Sequence, residues 1–277
     1  MNIKSLRKIY PTIKDCHKNI SWRRITDAEL EKSLSEKQKI CDCYSMAVRY
    51  ALIKSQKGKE ILKKRIWVEK GNSDMPAYKI MLTVDGKNEV YRVERSDFLG
   101  KFFKLFSAYN EIPRGSGNFA QSECENLNLA IDIATSKMIS KHPKEKPWYL
   151  RLYAWPNNKK CEYNRPSKAF EWLTGIKPES VGEDSIKNNL YKGKDLKEVN
   201  NILKKIELNN QEDYSYIIMS GYTDLDLENW HCLPIISVEN ERVKLKNRRS
   251  NNFMEVSYKD LIEKLKSIVG INWKEQK

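Results

Sequence analysis

The residues that could perform chemistry stand in two short segments that lie far apart in the chain. The first holds Gln38 and Cys43, and the second begins at His231 and ends at Asn247. A cysteine entering a helix, a glutamine shortly before it, and a histidine and an asparagine on a β-hairpin are the groups needed to attack an amide carbonyl. The pattern is informative because the chain has three histidines in all. We therefore predict a thiol active site.

Each of these residues has an expected role in that chemistry. Asp42 stands where a helix N-cap belongs, so Cys43 would lie at a helix N-terminus, where backbone amides and the helix dipole favour the thiolate. His231 would take the thiol proton and return it to the leaving amine, and Asn247 would orient the imidazole. Gln38 and the backbone amide of Cys43 would bind the oxyanion.

The same residues also have ordinary structural interpretations. A cysteine is usually a buried core residue, a lone histidine is more often structural than catalytic, and an asparagine at a strand end commonly makes a turn. Cys41 could be reactive too, but it lacks the helix-start position of Cys43. The active-site interpretation therefore depends on the residue types occurring together.

Composition limits the class of protein. The chain of 277 residues, 40% hydrophobic and 32% charged, is long enough for one large domain or for two lobes sharing a core. It contains no apolar stretch of the roughly twenty residues that a membrane helix requires, and its N-terminus lacks the apolar block of a secretory signal. We expect a monomer without a transmembrane segment, either cytoplasmic or exported without a recognisable N-terminal signal.

Cysteine content and charge bear on cofactors and partners. Six cysteines without an export signal predict free thiols, and no second cysteine pair accompanies Cys41 and Cys43, so we predict no metal and no other cofactor. The formal net charge of +14 attracts anions over long range, although lysines spread along the chain are typical of a solvated surface. We expect a protein substrate, with an acidic protein or an anionic surface as a further candidate partner, and no specific nucleic acid.

Apolar periodicity predicts the elements that position these residues. Thr26-Asp-Ala-Glu29 has the form of a capping box and predicts a helix from Asp27 to about Ser35. Apolar residues at spacings of three and four after Cys43 predict a central, buried helix. Further helices are predicted at 98–109, 123–140, 166–174, after Gly193, and at about 258–269.

Strands are predicted mainly in the second half. A hairpin is expected at 76–94 around the turn Asp85-Gly86, and a buried strand at 214–219. A second hairpin would carry His231 at its start and Asn247 at the end of its partner strand. Helices first and strands later indicate an α+β fold with two lobes and a cleft between them.

Several segments resemble the calpains, cysteine proteases of the papain-like superfamily. Cys-Asp-Cys43-Tyr-Ser-Met-Ala-Val resembles the calpain motif Gly-Asp-Cys-Trp-Leu-Leu-Ala, with Cys43 in the nucleophile position. Pro166 to Gly175 resembles a calpain helix that ends in Leu/Phe-Thr-Gly, and Phe253 to Ile262 resembles the segment that closes the calpain protease core. The resemblance runs over about residues 20–272 in the same order.

The resemblance implies a papain-like two-lobed fold. We expect a basic N-terminal extension at 1–20, a helical lobe at 21–180 that carries the nucleophile, and a β-rich lobe at 181–277 that carries the histidine and the asparagine. The sequence departs from the calpains where Gln38 lies five rather than six residues before the cysteine, and where Asn247-Arg-Arg replaces Asn-Pro-Trp. The calcium requirement of calpains is not carried over, because no EF-hand pattern occurs, and calcium activation stays open.

The predicted function is that of a calpain-like cysteine endopeptidase that cleaves proteins through a thioester on Cys43. Two alternatives stay open. The same triad would serve a papain-fold glutamine deamidase or transamidase, because these enzymes share the acyl-thioenzyme and differ in acceptor and pocket. The chain could instead be a catalytically inactive, basic binding module, whose affinity would fall steeply with salt.

Overall fold

The structure, a computed structural model, describes residues 21–35, 43–71, 76–94, 97, 126–142, 166–182, 196–209, 211–220, 232–247 and 252–276. The described helices are α1 (Asp27–Lys32), α2 (Cys43–Lys54), α3 (Gln56–Arg65), α4 (Asn126–Lys141), α5 (Pro166–Thr174), α6 (Leu196–Glu207) and α7 (Tyr258–Lys264). The described strands are β1 (Trp22–Arg24), β2 (Ile66–Glu69), β3 (Tyr78–Val84), β4 (Lys87–Val93), β5 (Glu179–Gly182), β6 (Tyr214–Ser220), β7 (Cys232–Glu239), β8 (Arg242–Asn247), β9 (Asn252–Ser257) and β10 (Leu265–Asn272).

These elements form a mixed α+β fold, as the sequence predicts, and their strands make two antiparallel sheets. The chain divides into two compact units. The first comprises Met1–Ser33, Arg65–Met81 and Val90–Cys161. The second comprises Leu34–Lys64, Leu82–Glu89 and Glu162–Lys277.

A four-stranded sheet of order β1-β2-β3-β4 lies mostly in the first unit. Asp85 and Gly86 join β3 to β4 with φ of 49° and 74°, which is the two-residue turn that suits the twist of a hairpin. The predicted hairpin is therefore confirmed. Of the four strands, β1 and β2 were not predicted from the sequence, because runs of three and four residues show too little alternation.

Helix α1 begins with the predicted capping box. The amide of Glu29 donates to the Thr26 hydroxyl at 3.3 Å, and the amide of Thr26 donates to the Glu29 carboxylate at 2.9 Å. Arg23 adds two hydrogen bonds to the same carboxylate, at 2.8 and 2.7 Å. These bonds from Arg23 lower the pKa of Glu29 to about 2, so the cap is charged over most of the pH range.

The second unit is built on a six-stranded sheet of order β5-β10-β6-β7-β8-β9. One face carries an apolar core to which α6 and α7 contribute, with Ile218, Leu233 and Ile268 at its centre. Within this sheet Gly270 faces Tyr216, and a Cβ at position 270 would lie 2.3 Å from the tyrosine ring. A glycine in the strand is required because the ring crosses it.

The C-terminal helix predicted at 258–269 is wrong beyond Lys264. Leu265–Asn272 forms β10, which pairs with β5 on one side and β6 on the other. Nearly all of β10 is buried, so it lacks the alternation of polar and apolar residues that would mark a strand. The helix predicted at 98–109 lies outside the described residues, whereas those at 123–140 and 166–174 are confirmed as α4 and α5, and the helix after Gly193 as α6.

Candidate active site

Helix α2 is a core helix, as its sequence predicts. It begins at Cys43, and residues 44–53 are all buried. A helix with apolar residues on every side is stable only when other elements surround it. The buried set includes Arg49, 2% exposed, whose Nε donates to the carbonyl of Ser45 at 3.3 Å. The buried helix therefore fixes the backbone position of its first residue, Cys43.

A buried hydrogen-bond network holds the last turn of α2 against β6. We call Ser55, Ser215 and Trp273 the serine–tryptophan cluster. The two serine hydroxyls lie 2.8 Å apart, and the indole Nε1 of Trp273 donates to each of them at 3.0 Å. The hydroxyl of Ser215 also lies within donating distance of the Ala51 carbonyl, at 3.0 Å. The end of α2 thus lies at the start of β6.

Ser55 of this cluster also caps the next helix, α3. The hydroxyl of Ser55 accepts a hydrogen bond from the amide of Gly58 at 3.1 Å, which makes Ser55 the N-cap of α3. A Cβ on residue 58 would lie 2.2 Å from the Leu52 carbonyl oxygen and 2.5 Å from the Ser55 hydroxyl. Glycine is therefore needed where α3 turns away from α2.

The second predicted segment forms the expected hairpin of β7 and β8. Asn240 and Glu241 make its turn with φ of 50° and 57°, and the pairing with β7 places Leu245 opposite Ile235. Asn247 is the half-buried last residue of β8 and pairs with Asn252 of β9. The strand that follows position 231 and the strand that ends at position 247 are thus neighbours.

The predicted catalytic residues are described to different extents. Asn247 is described in full, and Cys43 is described as the first residue of α2 without its side chain. Gln38 and His231, together with Cys41, lie outside the described residues. Cys232, which follows His231, forms no disulfide, as predicted, and is buried. The structure therefore shows the elements that carry Cys43 and Asn247.

Three residues beside Asn247 were not predicted from the sequence to belong to the site. The ammonium groups of Lys246 and Lys244 lie 4.1 and 5.3 Å from the centre of the Phe253 ring, and this ring is 53% exposed. Lysines at alternate positions of a strand share a face, which is the signal that could have identified them. They give the end of the β8–β9 pair a basic and aromatic character.

Two absences concern the described residues alone. Across these ranges, no three His, Cys, Asp or Glu side chains lie close enough together to hold a metal ion. None of the helices described combines the length and the apolar character needed to cross a membrane. No protein-family model matches the sequence, and no curated protein matches it.

Proposed function

We propose that this chain is a calpain-like cysteine endopeptidase with a papain-like two-lobed fold, in which Cys43 attacks the scissile carbonyl. One observation carries the proposal. The helix that begins at Cys43 packs along β6 and β7, and β7 is the strand that follows His231. The motif resemblance to calpains requires these two elements to meet.

The direction of α2 supports this pairing of elements. The carbonyl of Ala51, near the end of α2, accepts a hydrogen bond from the hydroxyl of Ser215 at the start of β6. From Ala51 back to Cys43 a helix rises about 12 Å, and from Ser215 to Met219 a strand rises about 13 Å. Met219 pairs with Cys232, the first residue of β7. A helix that follows these strands therefore begins level with the start of β7.

The proposed pairing of His231 with Cys43 requires a particular path of the chain before β7. Cys232 belongs to the face of β7 that α2 covers, because its partner Met219 shares a face with Ser215. Side chains alternate along a strand. His231 therefore reaches Cys43 only where the chain turns before β7 begins, so that the imidazole comes within hydrogen-bond reach of the thiol.

The hairpin register supports Asn247 as the orienting residue. The described pairing of β7 with β8 ends at Ile235 and Leu245. Asn247 lies two residues beyond Leu245, at the end of the hairpin where β7 starts. The turn before β7 that would bring the imidazole to Cys43 would also have to leave it within reach of the Asn247 amide. Asn247 would then hold the imidazole as the third member of a triad does.

The reaction follows from these roles. The thiolate of Cys43 adds to the carbonyl carbon, while Gln38 and the amide of Cys43 bind the oxyanion. The imidazolium of His231 gives its proton to the leaving amine, and a thioester remains on Cys43. Water then adds to the thioester and loses a proton to the imidazole, which releases the new carboxyl terminus and restores the thiolate–imidazolium pair.

Mapped thiol labelling tests the nucleophile. We expect limiting iodoacetamide to modify Cys43 first in the folded protein, and His231→Ala to slow this labelling. Cys41→Ala is the matched control and should leave the rate nearly unchanged, because Cys41 precedes the helix start. Equal labelling of Cys41 and Cys43, or no effect of His231→Ala, would contradict the assigned thiol–imidazole pair.

Mass spectrometry of an unfolded protein substrate tests the reaction class. We expect new N-termini that are absent with both Cys43→Ala and His231→Ala, because members of a triad act as a unit. Glutamine converted to glutamate without shortening, and lost in Cys43→Ala, would identify the deamidase. Salt-dependent binding with neither product and no thiol reactivity would identify the binding module.

A further inference from the structure

The first unit carries a tryptophan–cation surface on one face of its sheet. Arg24 pairs with Trp67, and Trp67 pairs with Lys79 on the next strand. The two-residue turn at 85–86 sets Val84 opposite Lys87, and counting back along the hairpin places Lys79 opposite Arg92. A row therefore crosses all four strands. Together with Trp22, these residues define the surface.

The tryptophan rings hold the cations in fixed places. The guanidinium carbon of Arg24 lies 3.8 Å from the centre of the Trp67 ring. The ammonium of Lys79 and the guanidinium of Arg92 lie 4.4 and 5.7 Å from a Trp22 ring. Arg24 is exposed and the other four residues are half-buried. Cations held over aromatic rings lose less freedom when they bind an anion than cations on free side chains do.

We propose that this surface binds an acidic segment of another polypeptide. The formal net charge of +14 draws anionic partners toward the chain, and the ring-held cations of Arg24 and Lys79 supply the local contacts. Its four strands span about 14 Å, which is the length of roughly four residues of extended peptide. Two carboxylates spaced along such a segment can reach Arg24 and Lys79.

Two features favour spaced carboxylates over a nucleic acid. Each tryptophan ring already has a cation near it, so bases cannot stack on these rings without displacing Arg24 or Lys79. Glu69 pairs with Trp22, and Glu94 lies 3.1 Å from the Arg92 Nε. These carboxylates repel a continuous phosphate track, whereas a peptide can place its acidic residues between them.

Binding of a fluorescein-labelled oligoglutamate peptide at low salt tests the proposal. We expect the double variant Arg24→Gln/Lys79→Gln to raise the Kd about tenfold, since it removes two charge contacts that the rings hold in place. The matched control, Lys204→Gln/Lys259→Gln, makes the same charge change at exposed positions in α6 and α7 and should change the Kd by less than about twofold.

A second variant tests whether holding the cation over a ring adds to the effect of its charge. Trp67→Leu keeps every charge but removes the ring under Arg24, and we expect the Kd to rise about threefold. Thermal melting of each variant verifies the fold, and Arg24→Gln alone, at an exposed position, serves if the double variant is unfolded. Because the assay reports binding alone, its outcome is independent of the proposed peptidase activity.

Several outcomes would overturn the proposal. These are no binding of oligoglutamate by the unaltered chain, or equal weakening by the surface and control double variants. Tighter binding of oligothymidylate than of oligoglutamate, lost in Arg24→Gln/Lys79→Gln, would assign the surface to single-stranded nucleic acid instead. An unchanged Kd in Trp67→Leu would show that the ring does not prepare the cation for binding.

Discussion

Hydroxyl groups cap α1 in the first unit and α3 in the second, and these two caps differ in their surroundings. Thr26 caps α1 at the surface, beside the charged side chains of Glu29 and Arg23. Ser55 caps α3 in the interior, beside the uncharged side chains of Ser215 and Trp273. The same local motif is thus stabilised by charge in one unit and by close packing in the other. The first cap should respond to pH, and the second to the volume of nearby side chains.

The largest expected effect is that of Gly58→Ala in the buried cap. The new methyl group would overlap the Leu52 carbonyl and the Ser55 hydroxyl, so α3 must shift away from α2. We expect the free energy of unfolding to fall by about 3 kcal/mol, measured by urea denaturation followed by circular dichroism. Lys57→Ala, at the exposed neighbouring position, is the control and should change it by less than about 0.5 kcal/mol. Equal stability of the Gly58→Ala and Lys57→Ala proteins would contradict the close packing.

Ser55→Ala should have the next largest effect. It removes the cap of α3 and one of the two acceptors for the buried Trp273 indole. We expect a loss of about 2 kcal/mol in the same urea assay, since a cap is worth about 1 kcal/mol and a buried polar group that loses a partner adds a similar cost.

Thr26→Ala removes the corresponding cap at the surface, so it shows how much burial adds to the stabilisation by a cap. We expect a loss of about 1 kcal/mol, because water can bind the freed amides of α1. Amide hydrogen exchange of residues 27–32 would report the loss locally. If Thr26→Ala destabilised its helix as much as Ser55→Ala destabilises α3, burial would add nothing to a cap.

The smallest effect is a pH dependence confined to the charged cap. Hydrogen bonds from Arg23 lower the pKa of Glu29 from its ordinary 4.5 to about 2. The resulting stabilisation is complete above pH about 4.5 and is lost as the pH falls toward about 2. Because Glu29 is partly exposed, we expect the loss to be below about 1 kcal/mol.

Amide exchange of residues 27–32, compared between the unaltered chain and Glu29→Gln over this acidic range, measures that loss. The unaltered chain should lose protection in α1 as the pH falls, whereas the variant should show no such additional loss. The amides of α3 serve as an internal control, because the acceptor in their cap is an uncharged hydroxyl. A pH response shared by α1 and α3 would contradict the distinction between the two caps.

Sequence patterns predicted elements whose signals are local. The capping box of α1, the buried helix that starts at Cys43, and Gly175 after α5, with φ of 77°, each follow from a few adjacent residues. The strand β10 does not, since Leu261, Leu265, Ile268 and Val269 are also spaced as in a helix, and only pairing with β5 and β6 decides otherwise. Ser55, Ser215 and Trp273 could not be predicted as a cluster, because nothing in their local sequence indicates that they meet.

The candidate site likewise has features that the local sequence predicted and features that it did not. Residue types and spacing predicted Cys43 as the first residue of a helix and Asn247 at the end of a hairpin strand, and both placements are observed. The packing of α2 along β6 and β7 depends on contacts between distant segments, and it was not predicted. The roles of Gln38, Cys43, His231 and Asn247 remain proposals that the labelling and cleavage experiments test.

The place of β10 in its sheet has a consequence for synthesis of the chain on the ribosome. This strand is the last element of the described chain, yet it lies between β5 and β6. Until it emerges, β5 has no neighbour in the sheet, and β6 presents an unpaired edge that invites association with other chains. A nascent chain stalled before Leu265 would therefore need chaperone protection, and the six-stranded sheet can form only after Asn272 has left the ribosome.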